Sequence, residues 1–232
     1  MFENMIDHAT LGVFGLLSGG LKKETAEEQY QKNKEAWEKR EAKARHRYIE
    51  RQPELTDLHY GTASRLEQKL FFGGRKLSAA ENACEVIAVY NALLALRRGG
   101  EQKGRLWSFP ALLRYFSAKG ICANGVFGTS PKALEHFFEQ HGYRTETLRG
   151  SRITEEALLG MQQSCGAFIL TAFNEGQNPF HMVHTMCISR EKDGYHRHND
   201  YEVPKAYESL YAAVQDYHGG RGHALCVVGV AG

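Results

Sequence analysis

The 232-residue sequence carries little net charge, few cysteines and no apolar run long enough to cross a bilayer. Lys and Arg number 29 against 27 Asp and Glu, a formal net charge of +2, so there is no general electrostatic case for a nucleic-acid partner. The five cysteines, Cys84, Cys122, Cys165, Cys187 and Cys226, are odd in number, contain no Cys-x-x-Cys and sit mostly in apolar runs. That pattern argues against a disulfide framework and for a reducing compartment. The first residues, Met1-Phe-Glu-Asn-Met-Ile-Asp7, are acidic where a secretory signal needs basic residues. The apolar piece after them, Ala9 to Leu17, is too short and too rich in glycine for a membrane span. The expectation is a cytoplasmic protein with no membrane span. The chain also lacks internal repeats and low-complexity tracts.

A hydrophobic content of 42% is enough for a substantial core. Three segments differ in composition: 1–20, a charged block over 21–55, and 76–232. The block from 21 to 52 has no Gly or Pro and reads as one long helix. Glu28/Lys32, Glu35/Lys39 and Glu41/Arg45 are i,i+4 pairs in the favourable orientation. Its apolar stripe is thin: Tyr30, Trp37 and Ala44 at heptad spacing, then Tyr48 and Ile49. Such a helix is expected to be a solvated arm that packs loosely or pairs with a second copy in a homodimer; docking a partner is the alternative.

From residue 76 the punctuation is regular. Ser78 to Leu96 turns from polar to apolar, and Gly99-Gly100 stops that helix. Ser108 to Gly120 and Thr129 to Gly142 each show a capping residue, an early proline and a terminal glycine. A fourth helix runs from Thr154 to about Ser164. Strands are expected at 143–148, 167–173, 181–189, 195–199 and 223–230, with one more helix over 204–216. Helices first and an antiparallel sheet second make an α+β chain.

The chemistry-bearing residues lie within this frame. Two capping boxes compete before the central helix: Ser78-x-x-Glu81 buries Cys84 nearly two turns inside, whereas Asn82-x-x-Glu85 places it in the first turn. In the first turn a thiol meets unpaired backbone N–H groups and the positive end of the helix dipole, which favour thiolate. The apolar periodicity begins near Val86 and favours the second box. A nucleophilic thiol needs a base. His181 opens a strand after Asn178-Pro-Phe; His184 lies on the opposite strand face and is the reserve, and His223 opens the last strand. Asp193-Gly194 marks a hairpin, so that Asn199 or Asp200 returns beside the His181 strand and can orient its ring. His181-x-x-His184 points to opposite faces of a strand and His196-x-His198 lacks an obvious third ligand, so neither metal nor cofactor is expected.

Asn82-Ala-Cys84 opening an apolar helix, the helix pair ending in His141-Gly142-Tyr143, Phe180-His181-Met-Val183 and the run from Tyr195 to Asp200 together resemble the papain-like cysteine peptidases. The similarity covers roughly 76–232 and is greatest to the bacterial branch related to double-glycine (bacteriocin-processing) peptidases. The resemblance implies a helical subdomain packed on an antiparallel sheet, carrying here an N-terminal charged helical extension. It also implies Cys84 as nucleophile, His181 as general base and acid, and Asn199 (or Asp200) as orienter, acting on a peptide or acyl substrate. Two positions depart from the family pattern. Ser78 stands where the family has an oxyanion glutamine, leaving Asn82 or Ser78 to act with the Cys84 N–H. Glu85 follows the cysteine where a small residue or tryptophan is usual, and a carboxylate there opposes thiolate. The alternative reading is therefore a non-catalytic papain-like module that binds a peptide or protein.

Overall fold

A computed structural model describes residues 26–42, 46–61, 78–104, 106–119, 129–174 and 183–232. Among them are seven α-helices and six strands. The helices are α1 (Ala26–Glu41), α2 (Ala79–Asn82), α3 (Cys84–Arg98), α4 (Phe109–Lys119), α5 (Pro131–Gln140), α6 (Glu155–Ser164) and α7 (Leu210–Gln215). The strands are β1 (Arg144–Arg149), β2 (Ala167–Phe173), β3 (Val183–Glu191), β4 (Gly194–His198), β5 (Ala206–Tyr207) and β6 (His223–Ala231). They form one antiparallel sheet in the order β1-β6-β2-β3-β4-β5, so the α+β expectation holds.

The sheet is covered on both faces, which explains why β2 is buried almost end to end. On one face α3 packs across β3 and β2. Its residues from Val86 to Leu96 are all buried, in one cluster with Ile169, Cys187, Val228 and Val230. On the other face α6 and α7 cover Phe168, Leu170, Met186, Ile188 and Val227. Strand alternation thus gives Thr185, Cys187 and Ser189 to the α3 face and His184, Met186 and Ile188 to the α6/α7 face. The helix stops fall where glycine permits a left-handed turn, at Gly100 (φ 78°) and Gly142 (φ 80°).

The charged block differs from its expected form. Its helix ends at Glu41, and its buried face reads Gln29, Asn33, Trp37 rather than the apolar stripe alone. Trp37 packs against Tyr90 and Phe109, with ring centroids 5.7 and 5.2 Å away, inside the main core. Asn33 holds the backbone of His59 through both atoms of its amide, at 2.7 and 2.8 Å, and the Gln29 amide donates to the Gly61 carbonyl. The block is therefore part of the globule, and Trp37 is not available for a dimer seam. The helix expected over 204–216 is also shorter. β5 occupies its first part, and Ser209 is the working N-cap, accepting from the Ala212 N–H at 3.0 Å.

Candidate functional site

Two helices, not one, lie where the competing capping boxes were expected. Ser78 precedes the single turn α2, the chain breaks at Ala83 (φ −108°, ψ 22°), and Cys84 begins α3. Neither box forms its side-chain cap, but the break places Cys84 in a first turn as expected. Its sulfur receives the Thr185 N–H from β3 and lies 3.2 Å from Glu85 Oε2, to which the thiol donates. Burial is the main cause that pushes the thiol well above its ordinary pKa, and the Glu85 carboxylate adds to it. The helix dipole is outweighed, so the resting sulfur is a thiol. Burial likewise raises Glu85 to about 7, against the lowering influence of its own N–H, the thiol and the Thr129 N–H.

Asn199 lies just past β4 in a left-handed conformation (φ 66°) and is buried. Its Oδ1 accepts from the Gln52 N–H at 2.9 Å, and its Nδ2 donates to Gln52 Oε1 at 3.3 Å. Gln52 Nε2 in turn donates to the Ala79 carbonyl at 3.0 Å, which joins the segment before α2 to the end of β4. Tyr201, also left-handed (φ 63°), turns its hydroxyl to Gln52 Oε1 at 3.3 Å. A left-handed aromatic residue costs about 1–2 kcal/mol; burial of the phenol, and secondarily the nearby Cys84, raise it to about 12. Gln52 is the residue the sequence reading missed. It lies in a stretch without apolar periodicity, and its only signal is Pro53 beside it.

The other anticipated residues are spread around this arrangement. His181 lies outside the described residues. His184 points to the α6/α7 face, where Nε2 sits 2.5 Å from the Asn199 carbonyl and the ring packs 4.8 Å from that of Tyr201. Burial lowers its pKa. Asp200 is committed elsewhere, accepting from Arg197 Nε at 2.8 Å and the Glu202 N–H at 3.1 Å. His223 is an exposed residue at the start of β6, paired with Phe173. Of the two oxyanion candidates, Asn82 donates through Nδ2 to the Tyr60 carbonyl at 3.4 Å, and Ser78 is buried at the start of α2.

A second polar chain lies on the same face of the sheet. Ser189 Oγ is 2.8 Å from His198 Nε2, and His198 Nδ1 is 2.7 Å from Glu50 Oε1. The His198 ring stacks on Tyr48 with centroids 3.7 Å apart. Among the described residues no group of three or more His, Cys, Asp or Glu is arranged to hold a metal ion. A cavity of about 460 Å³ is lined by Glu41, His46, Arg97 and Trp107. It lies at the other end of α3, about 20 Å from Cys84 by helical rise, and is separate from this site.

No protein family, curated protein or solved structure matches this chain. The residues therefore carry the functional argument alone. Among the described residues no helix is long and apolar enough to cross a membrane.

Proposed function

We propose that the protein is a papain-like cysteine peptidase, or an amidase or acyltransferase sharing its thioester chemistry, in which Cys84 is the nucleophile, His181 the base and Asn199 the orienter. The observation that carries this reading is the position of Cys84. It opens a helix that runs onto the middle of an antiparallel sheet, and its sulfur meets a backbone N–H of β3. Asn199 follows β4, the hairpin partner of β3, and is linked to the α2 segment through Gln52. His181 has the parity of Thr185 in sequence, the residue whose face of β3 meets α3. The Asn199 oxygen uses one lone pair on the Gln52 N–H and keeps a second for an imidazole N–H. Attack of the sulfur on a peptide or acyl carbonyl gives a thioester, which water or an amine resolves.

The test is a peptidyl vinyl sulfone mixture incubated with the folded protein, followed by peptide mapping. An adduct on Cys84 that is lost in His181→Ala supports the reading. An adduct that forms equally on Cys165, or only after denaturation, overturns it.

A second reading, a peptide-binding module without catalysis, is favoured by one observation: the resting Cys84 thiol is hydrogen-bonded to a carboxylate and held protonated. It requires peptide binding that survives Cys84→Ala without any turnover in the parent protein. A cytoplasmic location and a homodimer through the N-terminal helix belong with these proposals.

A further inference from the structure

Glu85 is a buried-site carboxylate whose partners carry no positive charge. The groups it meets are the Cys84 S–H at 3.2 Å, its own N–H and the Thr129 N–H. Among the described residues no Lys, Arg or His pairs with it. Thr129 is itself pinned by a hydrogen bond between its hydroxyl and that of Tyr60, so the N–H that faces Glu85 is fixed in place. Among the described residues the other titratable group at the sulfur is the Tyr201 phenol, with His184 packed behind its ring. Neither supplies a cation to the carboxylate. Dipoles from N–H and S–H groups offset part of the cost of desolvating a charge, and a counter-ion offsets more.

We propose that Glu85 is a specificity residue that accepts a cationic group of the substrate, an ammonium or guanidinium placed next to the acyl carbon attacked by Cys84. This rests on the reading of Cys84 as nucleophile and deepens it by naming the substrate class. A cation against Glu85 has two consequences with one cause. It pairs a carboxylate that has no counter-charge among the described residues, and it cancels the negative charge that opposes thiolate 3.2 Å away. The Cys84 proton then leaves for the base, the sulfur bonds to the carbonyl carbon, and the π electrons move to oxygen. Collapse expels the amine or alcohol, which takes that proton. A neutral or acidic substrate leaves Glu85 uncompensated and the thiol protonated.

The test needs no substrate. Two methanethiosulfonate reagents of similar size, one bearing an ethylammonium and one an ethylsulfonate, are reacted with the full-length protein at pH 8. Each rate at Cys84 is divided by the reagent's rate with glutathione. The expected result is a normalised preference for the cation of at least tenfold at Cys84, falling to about onefold in Glu85→Gln, with Cys165 as the internal reference for folding. Should Glu85→Gln fail to fold, the parent protein still decides: the preference shrinks between pH 8 and pH 5.5 as Glu85 takes its proton. Equal normalised rates, a preference that Glu85→Gln or low pH leaves unchanged, or a Cys84 closed to both reagents each overturns the proposal. Turnover assays report on the nucleophile reading separately, so the failure of one is not mistaken for the failure of the other.

Discussion

Two polar constellations share the α3 face of the sheet, and the better connected of them is the less suited to catalysis. Ser189, His198 and Glu50 form an unbroken serine–histidine–carboxylate chain with 2.8 and 2.7 Å links. Yet Ser189 is fully buried, and Tyr48 stacks over the histidine. The groups around it are paired with one another. Tyr48 donates to Glu191 at 2.9 Å, Arg98 lies 4.2 Å above the Tyr48 ring, and Arg98 and Glu191 are 3.6 Å apart. Glu50 Oε2 also accepts from the Asn199 N–H at 3.2 Å, so the chain clips residues 48–52 to the sheet and to the end of β4. The Cys84–Glu85 pair is poorer in hydrogen bonds and, among the described residues, leaves a carboxylate without a cation. On the proposed reading, connectivity alone does not mark the reactive site.

Exchanging the two sites by mutation gives the largest expected contrast. Cys84→Ala is expected to remove covalent capture of acyl probes entirely and leave the thermal midpoint within a few degrees of the parent. Ser189→Ala is expected to leave probe capture within twofold and to lower stability by about 1–3 kcal/mol, because it leaves His198 Nε2 short of a partner. Capture lost in Ser189→Ala and kept in Cys84→Ala would reverse the assignment.

The clip is sharpened by Asn91, a fully buried residue of α3 whose amide binds both the N–H and the carbonyl of Ile49, at 2.8 and 2.9 Å. Asn91→Leu strands two buried backbone groups and is expected to cost about 2–4 kcal/mol by urea denaturation. His198→Ala removes one clip of several and is expected to cost less, about 1–2 kcal/mol.

Glu85 supplies a pH signature. Its folded value of about 7 exceeds the ordinary 4.5, so the folded state holds the proton more tightly than the unfolded state does. Its contribution to stability is full below about pH 4.5 and is lost as the pH rises through 7. The parent should lose on the order of 2 kcal/mol relative to Glu85→Gln between pH 4.5 and 8. Parallel stability curves would show that Glu85 ionises freely. The smallest effect is expected at the exposed Arg114–Glu27 pair, 3.0 Å apart, where Arg114→Ala should leave the urea midpoint close to that of the parent.

Much of this architecture was legible in the sequence where periodicity and punctuation agree. The apolar run from Val86 to Leu96 and Gly99-Gly100 fix α3, Asp193-Gly194 fixes the β3–β4 hairpin, and Thr154 caps α6 through the Ala157 N–H. The start of α3 at Cys84 agrees with the later of the two expected starts, but Asn82 closes α2, Ala83 is the N-cap, and Glu85 turns toward the thiol instead of capping. The parts that escaped are held by polar side chains gripping backbone. Asn33 on His59, Asn91 on Ile49 and Asn199 on Gln52 join residues 26 to 147 positions apart. No local pattern announces such pairs, because an asparagine that substitutes for a strand partner looks like a surface residue in sequence. For the same reason the charged block read as a solvated arm, whereas Gln29, Asn33 and Trp37 bury one of its faces. Removing residues 1–52 therefore does more than delete an appendage: it takes away Glu50 and Gln52, and with them the partners of Asn199.

The most direct test of the central claim, that Cys84 works as an acylating nucleophile, is quench-flow and intact-mass analysis with activated acyl esters, one set cationic beside the acyl carbon and one neutral. The account predicts one acyl group per chain, mapped to Cys84 and absent from Cys84→Ala, with the cationic esters reacting faster. Acyl groups that appear equally in the parent and in Cys84→Ala would contradict it.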